Sequence, residues 1–238
     1  MSDAARGPRV PARCALPMTF LRLKPDVSFG FVGEHPVFLD LKEDRYLALD
    51  ASTEAAFARA QAASGNMPPD GQDVERLLRT GLFQKADRAG ALTATSISVP
   101  DCGLLSEMTR RSVGLVPSVR VWTNVARARR RLRTVPLIKL VANIRDVRQS
   151  GASAGTPGEA EKAAETYLVA RALVPVNRSC LLDCLGLVDW LGDRARHATL
   201  VFGVRMDPFG AHCWLQTDRA ILTDAPDTVR NFAPVLVV

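Results

Sequence analysis

A cysteine, a histidine and an aspartate near the C-terminal end of this sequence have the types and spacing of a nucleophilic catalytic site. Cys180 follows Ser179, which we predict to be the N-cap of a helix over residues 179–191. Unpaired amide groups and the dipole at a helix N-terminus favour a thiolate and can stabilise an oxyanion. Such a thiolate also needs a base that holds its proton and a group that orients the base.

The base and its orienting group are predicted to lie on neighbouring strands. His212 is the one histidine that opens a predicted strand, and Asp224 ends the next one. If the turn between them takes residues 217–219, Gln216 pairs with Ala220 and His212 pairs with Asp224, with Cβ atoms about 5 Å apart. A turn shorter by one residue places the two on opposite faces. The alternative is structural, with Cys180 packed in the core and Asp224 capping the turn.

The elements around these residues predict a helix followed by an antiparallel sheet. After the helix that begins at Cys180, the pattern predicts strands over residues 199–204, 211–216, 220–223 and 231–238. A helix before an antiparallel sheet is the layout of a papain-like or transglutaminase-like core. We therefore predict an α+β fold whose last domain, residues 159–238, is of this kind.

The pattern of the N-terminal residues predicts a small module of a different type. Strands over residues 27–32, 36–41 and 46–49 form an antiparallel meander, and helices over 55–62 and 73–80 follow it. Three strands and short helices describe a winged-helix-like module over residues 20–88. Residues 1–19 are predicted to be a flexible lead-in.

A helical connector and a linker are predicted between the two domains. The connector is residues 89–148, and residues 103–148 of it have a helical pattern that we expect to break at Pro117 and Pro136. Residues 149–158 lack apolar bulk and are rich in turn-forming residues, which indicates a linker.

Composition limits the function classes. Apolar residues make up 47% of the 238 residues, and no window is long and apolar enough for a membrane span or a signal peptide, so we predict a cytoplasmic protein. The five cysteines include no CxxC pair, so we expect no metal site. The net charge of +6 includes an arginine-rich stretch, Arg127–Arg133. It is either a solvated helix face, a nucleic-acid patch or a docking surface for an acidic partner.

Four short stretches resemble the lasso-peptide maturation peptidases. They are the helix start at residues 180–187, the strand end at 202–205, Ala-His-Cys-Trp at 211–214 and Leu-Thr-Asp at 222–224. These enzymes are transglutaminase-like, and the resemblance implies a catalytic triad of Cys180, His212 and Asp224. Cys213 replaces the usual alanine, which we expect to be harmless. For Cys184, we favour packing over a role as a second thiol.

Residues 20–88 are similar to precursor-recognition domains related to the pyrroloquinoline-quinone peptide chaperone. There a leader peptide adds as a strand beside the third strand and packs on the last helix, a form of strand addition. The resemblance implies that this sequence binds a leader through a strand segment and one helix face. The residues concerned are Asp44, Arg45, Tyr46, Leu47, Ala48 and Leu49 in the strand segment, and Val74, Leu77 and Leu78 in the helix.

The resemblance as a whole implies a peptidase that binds a precursor's leader and cuts it from the core. It implies a second partner, an ATP-dependent cyclase resembling asparagine synthetase. This chain has no GxxxxGK[ST] phosphate loop, so we expect the cyclase to use the ATP and this chain to have no cofactor of its own. Two alternatives stay open. One is a transglutaminase or amidase with the same triad. The other is a winged-helix nucleic-acid-binding regulator, although residues 73–80 mix acidic and basic side chains and lack a basic reading face.

Overall fold

The structure is a computed structural model, and it describes residues 20–63, 70–88, 90–107, 113–149 and 155–238. The predicted lead-in over residues 1–19 and residues 150–154 of the predicted linker lie outside the described residues.

The described residues form ten strands, eight α-helices and one 3₁₀ helix. The strands are β1 (Phe20–Leu23), β2 (Val27–Val32), β3 (His35–Asp40), β4 (Arg45–Ala48), β5 (Phe83–Ala86), β6 (Cys102–Gly103), β7 (Thr199–Met206), β8 (Phe209–Gln216), β9 (Ala220–Ile221) and β10 (Ala233–Val237). The helices are α1 (Ala51–Ala62), α2 (Gly71–Arg79), α3 (Leu104–Glu107), α4 (Leu115–Thr134), α5 (Leu137–Gln149), α6 (Pro157–Arg171), α7 (Cys180–Leu191) and α8 (Pro226–Val229), with a 3₁₀ helix at Gly192–His197.

The N-terminal module contains the predicted three-stranded antiparallel sheet. Its order is β2-β3-β4, and Phe29 pairs with Phe38 across the first two strands. Both rings are fully buried and meet Phe57 of α1 edge to face at 5.1 and 5.3 Å. The sheet is confirmed, whereas the winged-helix assignment stays a prediction. A second pair, β1 with β5, was not predicted.

The C-terminal part is a five-stranded sheet covered by helices on one face. The strand order is β10-β7-β8-β9-β6, antiparallel except for the β6–β9 pair. Leu185 of α7, Leu215 of β8 and Val125 of α4 belong to one buried cluster. The core therefore includes helices that precede residue 159, where we predicted the last domain to begin.

The two parts of the molecule touch through β2 and β10. At Gly30 the backbones come so close that a Cβ atom would lie 1.9 Å from the carbonyl oxygen of Pro234. Thr95 joins the same two strands, since its N–H donates to Phe29 O (2.7 Å) and its hydroxyl donates to Val235 O (2.9 Å). The N-terminal module thus packs directly against the C-terminal sheet.

Two predictions about the helical region were wrong. Pro117 does not break the helix but lies in the first turn of α4, where an N–H has no partner within the helix. Gly103, where the predicted helical pattern begins, belongs with Cys102 to strand β6 instead of a helix. The predicted break at Pro136 is confirmed, between α4 and α5. Helix α6 begins at Pro157, inside the predicted linker, because Thr156 forms a capping box with Glu159.

Candidate active site

Cys180 is the first residue of α7. Ser179 precedes it with extended backbone, as an N-cap does, but its side chain makes no capping bond to the helix. The amide groups of the first turn are therefore not satisfied by the cap, and they remain available to a negatively charged group beside Cys180.

The turn between β8 and β9 differs from the predicted one. Gln216 pairs with Ile221 and not with Ala220, so the register is shifted by one residue. Thr217 causes the shift, because its N–H donates to Ala220 O (2.9 Å) and its hydroxyl accepts from Ala220 N (3.0 Å), which tightens the turn. A continued ladder would then place Asp224 opposite Cys213, not opposite His212.

Asp224 nevertheless reaches His212 because the chain leaves the sheet after Leu222. Leu222 N–H still donates to Leu215 O (2.8 Å), but Leu215 N–H donates to the hydroxyl of Thr223 (3.0 Å) instead of to a backbone carbonyl. Asp224 therefore lies beyond the paired residues and does not follow the side-chain alternation of the sheet. Its Oδ1 lies 3.0 Å from His212 Nε2. The structure thus brings the two side chains together by a route other than the predicted one.

Thr223 also fixes the orientation of Asp224. The Thr223 hydroxyl donates to Asp224 Oδ2 at 2.8 Å, which leaves Oδ1 facing His212. Sequence reasoning missed Thr223, since it belongs to a strand-like run and its role depends on the strand ending early.

Cys180 contacts both His212 and Cys213. The Cys213 thiol, the His212 ring and the Cys213 backbone N–H lower the pKa of Cys180 to about 4, although burial opposes them. Asp224, followed by Cys180, raises the pKa of His212 to about 9. Because Asp224 takes Nε2, the Nδ1 atom of His212 is left for the thiol. Between these two values, the pair is a thiolate and an imidazolium.

Cys213 is a site residue that sequence reasoning missed. We treated it as a harmless replacement for alanine, but its thiol is the group that lowers the pKa of Cys180 most. Its bonds to Cys180 and Cys184, together with burial, hold its own pKa well above the ordinary range, so it stays a donor. Cys184 is fully buried, its pKa is raised by burial, and its thiol contacts Cys213 O at 3.7 Å.

The ring of His212 is held from both sides. It stacks on buried Trp214 at 6.3 Å and lies 5.1 Å from Phe232. Gly203, which pairs with His212 across the strands, makes room for this packing, because a Cβ there would lie 2.8 Å from Trp214 and 2.9 Å from Phe232. These contacts limit the ring to orientations that face Asp224.

A buried ion pair fixes the loop that leads to Cys180. Arg171 is 1% exposed and donates to Asp183 Oδ1 at 2.7 Å. Its remaining N–H groups donate to the carbonyls of Val174 and Val176 at 3.4 and 3.0 Å. Arg178 binds the other oxygen of Asp183 at 2.9 Å from a half-exposed position. The start of α7 is thus tied to α6.

A cleft of about 540 Å³ opens over the three residues. Cys180, His212 and Asp224 line it, together with Leu105 and Arg178. One strand of the N-terminal module lies near this site. The Tyr46 ring of β4 is 6.1 Å from the Phe209 ring of β8, and burial and then the Cys213 and Cys180 thiols raise the pKa of Tyr46.

The predicted leader-binding residues fall into two groups. Among the described strands, β4 pairs with β3 alone and is an edge of its sheet. Asp44, Arg45 and Ala48 are exposed, and Tyr46, Leu47 and Leu49 are partly buried. In α2, Leu77 is fully buried and Val74 is 8% exposed, so both lie in the core of the module. Leu78 is partly exposed. Direct contact with a leader stays a prediction for β4 and Leu78. Leu77 is too deeply buried to contact a leader at the surface.

The remaining histidines lie away from the cleft. His35 contacts Glu54 at 3.1 Å, and His197 contacts Gly155 O at 3.1 Å. Among the described residues, no group of three or more His, Cys, Asp or Glu side chains is arranged to hold a metal ion. Within the same ranges, none of the helices has the length and hydropathy needed to cross a bilayer.

The arrangement has the three functions that cysteine acyl transfer needs. Cys180 supplies a thiolate, His212 carries the proton, and Asp224 orients the ring. The first turn of α7 offers N–H groups to a developing oxyanion. The same chemistry serves hydrolysis and transfer to an amine, because both proceed through a thioester.

Comparison with known proteins agrees with this geometry at the level of the family. Residues 121–237 match the family model described as the transglutaminase-like superfamily. Neither the comparison with curated proteins nor the comparison with solved structures found a match. The matched residues include all three side chains of the cleft and the helix α4 that packs on α7. Residues 121–237 of this chain are therefore a transglutaminase-like domain.

Proposed function

We propose that this protein is a leader peptidase of lasso-peptide maturation. It binds the leader of a ribosomally made precursor through its N-terminal module. It then cuts between leader and core with Cys180, His212 and Asp224. The core's freed amine is the group that a ring-closing amide bond would use.

The observation that carries this proposal is the position of β4. This strand is an open sheet edge, and its Tyr46 also packs toward the cluster that contains Cys180. A peptide added as a strand at β4 would run alongside the cleft without any movement of the module. An edge for strand addition beside a nucleophile suits an enzyme that binds one part of a peptide and cuts another.

The reaction follows from the charges of the pair. The Cys180 thiolate attacks the scissile carbonyl carbon, a C–S bond forms, and the oxyanion is stabilised by N–H groups of the first turn of α7. The His212 imidazolium gives its proton to the leaving amine as the C–N bond breaks. Water, deprotonated by His212, then attacks the thioester, and the Cys180 thiolate leaves.

The partners belong to the same proposal. An ATP-dependent cyclase resembling asparagine synthetase would take the freed core, and the cyclase, not this chain, would use the ATP. This chain would need no cofactor, because the acyl-enzyme reaction uses only its own side chains and water. We propose that both proteins work in the cytoplasm, where thiols stay reduced.

Mass spectrometry with a precursor tests the proposal. The small precursor gene product encoded beside this gene is incubated with the wild type, with Cys180→Ala and with Cys102→Ala, whose exposed thiol lies outside the cleft. We expect the wild type and Cys102→Ala to release leader and core, and Cys180→Ala to leave the precursor intact. Charge introduced at exposed Ala48 should weaken precursor binding without changing alkylation of Cys180.

Two results would support the alternatives. An amide of an added primary amine at the cut site, with little free acid, would indicate a transglutaminase that uses the same thioester. An intact precursor together with salt-sensitive DNA binding would contradict the peptidase and favour a regulator.

A further inference from the structure

Three adjoining clefts connect strand β4 with Cys180. The cleft over Cys180 shares Arg178 and Ser179 with a second cleft of about 500 Å³. The second shares Leu132 and Arg133 with a third, of about 350 Å³. The third reaches Asp44, directly before β4. The surface is therefore continuous from the edge strand to the nucleophile.

The middle cleft is lined by three arginines and no acidic residue. We name it the arginine groove, after Arg129, Arg133 and Arg178. Arg129 and Arg133 are exposed on α4, and neither forms an ion pair with another residue in the described ranges. Arg178 is half exposed and shares Asp183 with buried Arg171, so two cations face one carboxylate there. The neighbouring clefts do contain acids, with Asp183 and Asp224 in the cleft over Cys180 and Asp44 at the end near β4.

Two of the three arginines of this groove, Arg129 and Arg133, come from the basic stretch of α4, whose members have separate roles. Arg131 pairs with Asp189 at 2.8 Å, and Arg127 donates to Asn124. Arg129 and Arg133 lie on the side that faces the loop before Cys180, with Leu132 between them. A purely solvated helix face would not place unpaired guanidinium groups in a cleft that leads to the nucleophile.

We propose that the arginine groove binds an acidic segment of the peptide substrate, between the part held at β4 and the bond cut at Cys180. This inference rests on the proposed function and adds the chemistry of the substrate. Planar guanidinium groups bind carboxylates with two parallel hydrogen bonds, and an extended peptide presents side chains at intervals that a row of arginines can match. The groove thus selects acidic peptides and directs them toward Cys180.

Binding of defined peptides tests the groove without requiring cleavage. A fluorescein-labelled peptide of alternating Glu and Gly is titrated with the Cys180→Ala protein, and a Lys-Gly peptide is the charge control. We expect the acidic peptide to bind, the basic one not to bind, and the affinity to fall as salt rises. The double change Arg129→Glu and Arg133→Glu should weaken binding about tenfold or more.

A matched control separates the groove from net charge. Arg130→Glu with Arg194→Glu changes the net charge equally, at exposed positions outside the three clefts. We expect this variant to bind the acidic peptide as the parent does. Equal loss in both double variants, or no binding by the parent, would overturn the proposal. So would tighter binding of a single-stranded oligonucleotide of the same charge that depends on Arg129 and Arg133.

The outcomes also separate this inference from the proposed function. Binding of the acidic peptide without cleavage of the precursor would contradict the peptidase and support the groove. Cleavage of the precursor with unchanged kcat/KM in the Arg129→Glu, Arg133→Glu variant would support the peptidase and contradict the groove.

Discussion

At the scale of single residues, Cys213 is the donor that distinguishes this site from a simple pair of cysteine and histidine. Its thiol is buried, and its side chain and backbone N–H both lower the pKa of Cys180. Hydrogen bonds to a charged group contribute about 1.5–3 kcal/mol, more than bonds between neutral groups. The thiolate therefore depends on Cys213 as well as on His212.

Replacing Cys213 with alanine should raise the pKa of Cys180. In the wild type we expect iodoacetamide to alkylate Cys180 with a midpoint near pH 4, because the thiolate is the reactive form. In Cys213→Ala the midpoint should move up by about one to two pH units, since one bond to the thiolate is lost. Mass spectrometry of the labelled peptide measures the rate at each pH. An equal midpoint in wild type and variant would show that the Cys213 thiol contributes nothing.

The hydroxyl of Thr223 should control how well Asp224 holds His212. Thr223→Val removes the hydroxyl that orients Asp224. Asp224 then stabilises the His212 imidazolium less well, so the pKa of His212 falls below about 9. We expect kcat to fall about tenfold and the upper limit of the pH–rate profile to move to lower pH, with KM little changed. Thr223→Ser keeps the hydroxyl and should keep both values. Thr228→Val, an exposed position, is the control for the substitution itself.

At the scale of elements, the start of α7 is held by a buried charge network. Arg171 and Asp183 are 1% and 9% exposed, and the same arginine supports the loop carbonyls before Cys180. Removing one member of a buried pair leaves the other charge without a partner, which costs about 3–5 kcal/mol. The position of the nucleophile is therefore coupled to the stability of the α6–α7 junction.

The two arginines that share Asp183 should differ in their effect on stability. Arg171→Leu should lower the free energy of unfolding by about 3–5 kcal/mol, because Asp183 stays buried with less compensation. Arg178→Leu should lower it by less than about 1 kcal/mol, since that side chain is half exposed and solvent screens its charge. Urea unfolding followed by circular dichroism measures both. Equal losses would mean that the loop does not depend on Arg171.

At the scale of the whole molecule, the close contact of β2 with β10 sets the position of the N-terminal module. Gly30 permits the contact, and Thr95 bonds to both strands. Tyr46 on β4 reaches the Cys180 region only while this packing holds. The alignment of the two parts is therefore a property of the contact, not of either part alone.

A methyl group at Gly30 should separate the two parts. In Gly30→Ala the new Cβ meets Pro234 O, so we expect a loss of roughly 1–3 kcal/mol and faster cutting by trypsin between the module and the domain. Gly71→Ala is the matched control, because nothing lies within 4 Å of its Cβ and the residue is in a helix. Thermal unfolding and limited proteolysis compare the two. If both variants behave alike, the β2–β10 contact does not hold the module in place.

Local patterns in the sequence predicted most of the elements around the site, but not strands β1, β5 and β6. Local patterns of apolar residues gave the three strands of the N-terminal sheet, the helix at Cys180 and the strands that follow it. Capping and periodicity act over a few residues, so they can be read without the fold. The same local reasoning selected Cys180 correctly by its helix start. It selected His212 as the one histidine that opens a strand, and this reason was wrong, because His35 opens β3 and His212 lies within β8.

The way in which these residues meet depends on tertiary packing. The β8–β9 register depends on Thr217, and contact with His212 depends on the chain leaving the sheet at Thr223. The Cys213 bond, the position of Tyr46 and the groove lined by Arg129 join residues far apart in sequence. Periodicity carries no information about such contacts, because they arise from the packing of elements against each other. The chemistry was readable from residue types, and its geometry was set by packing.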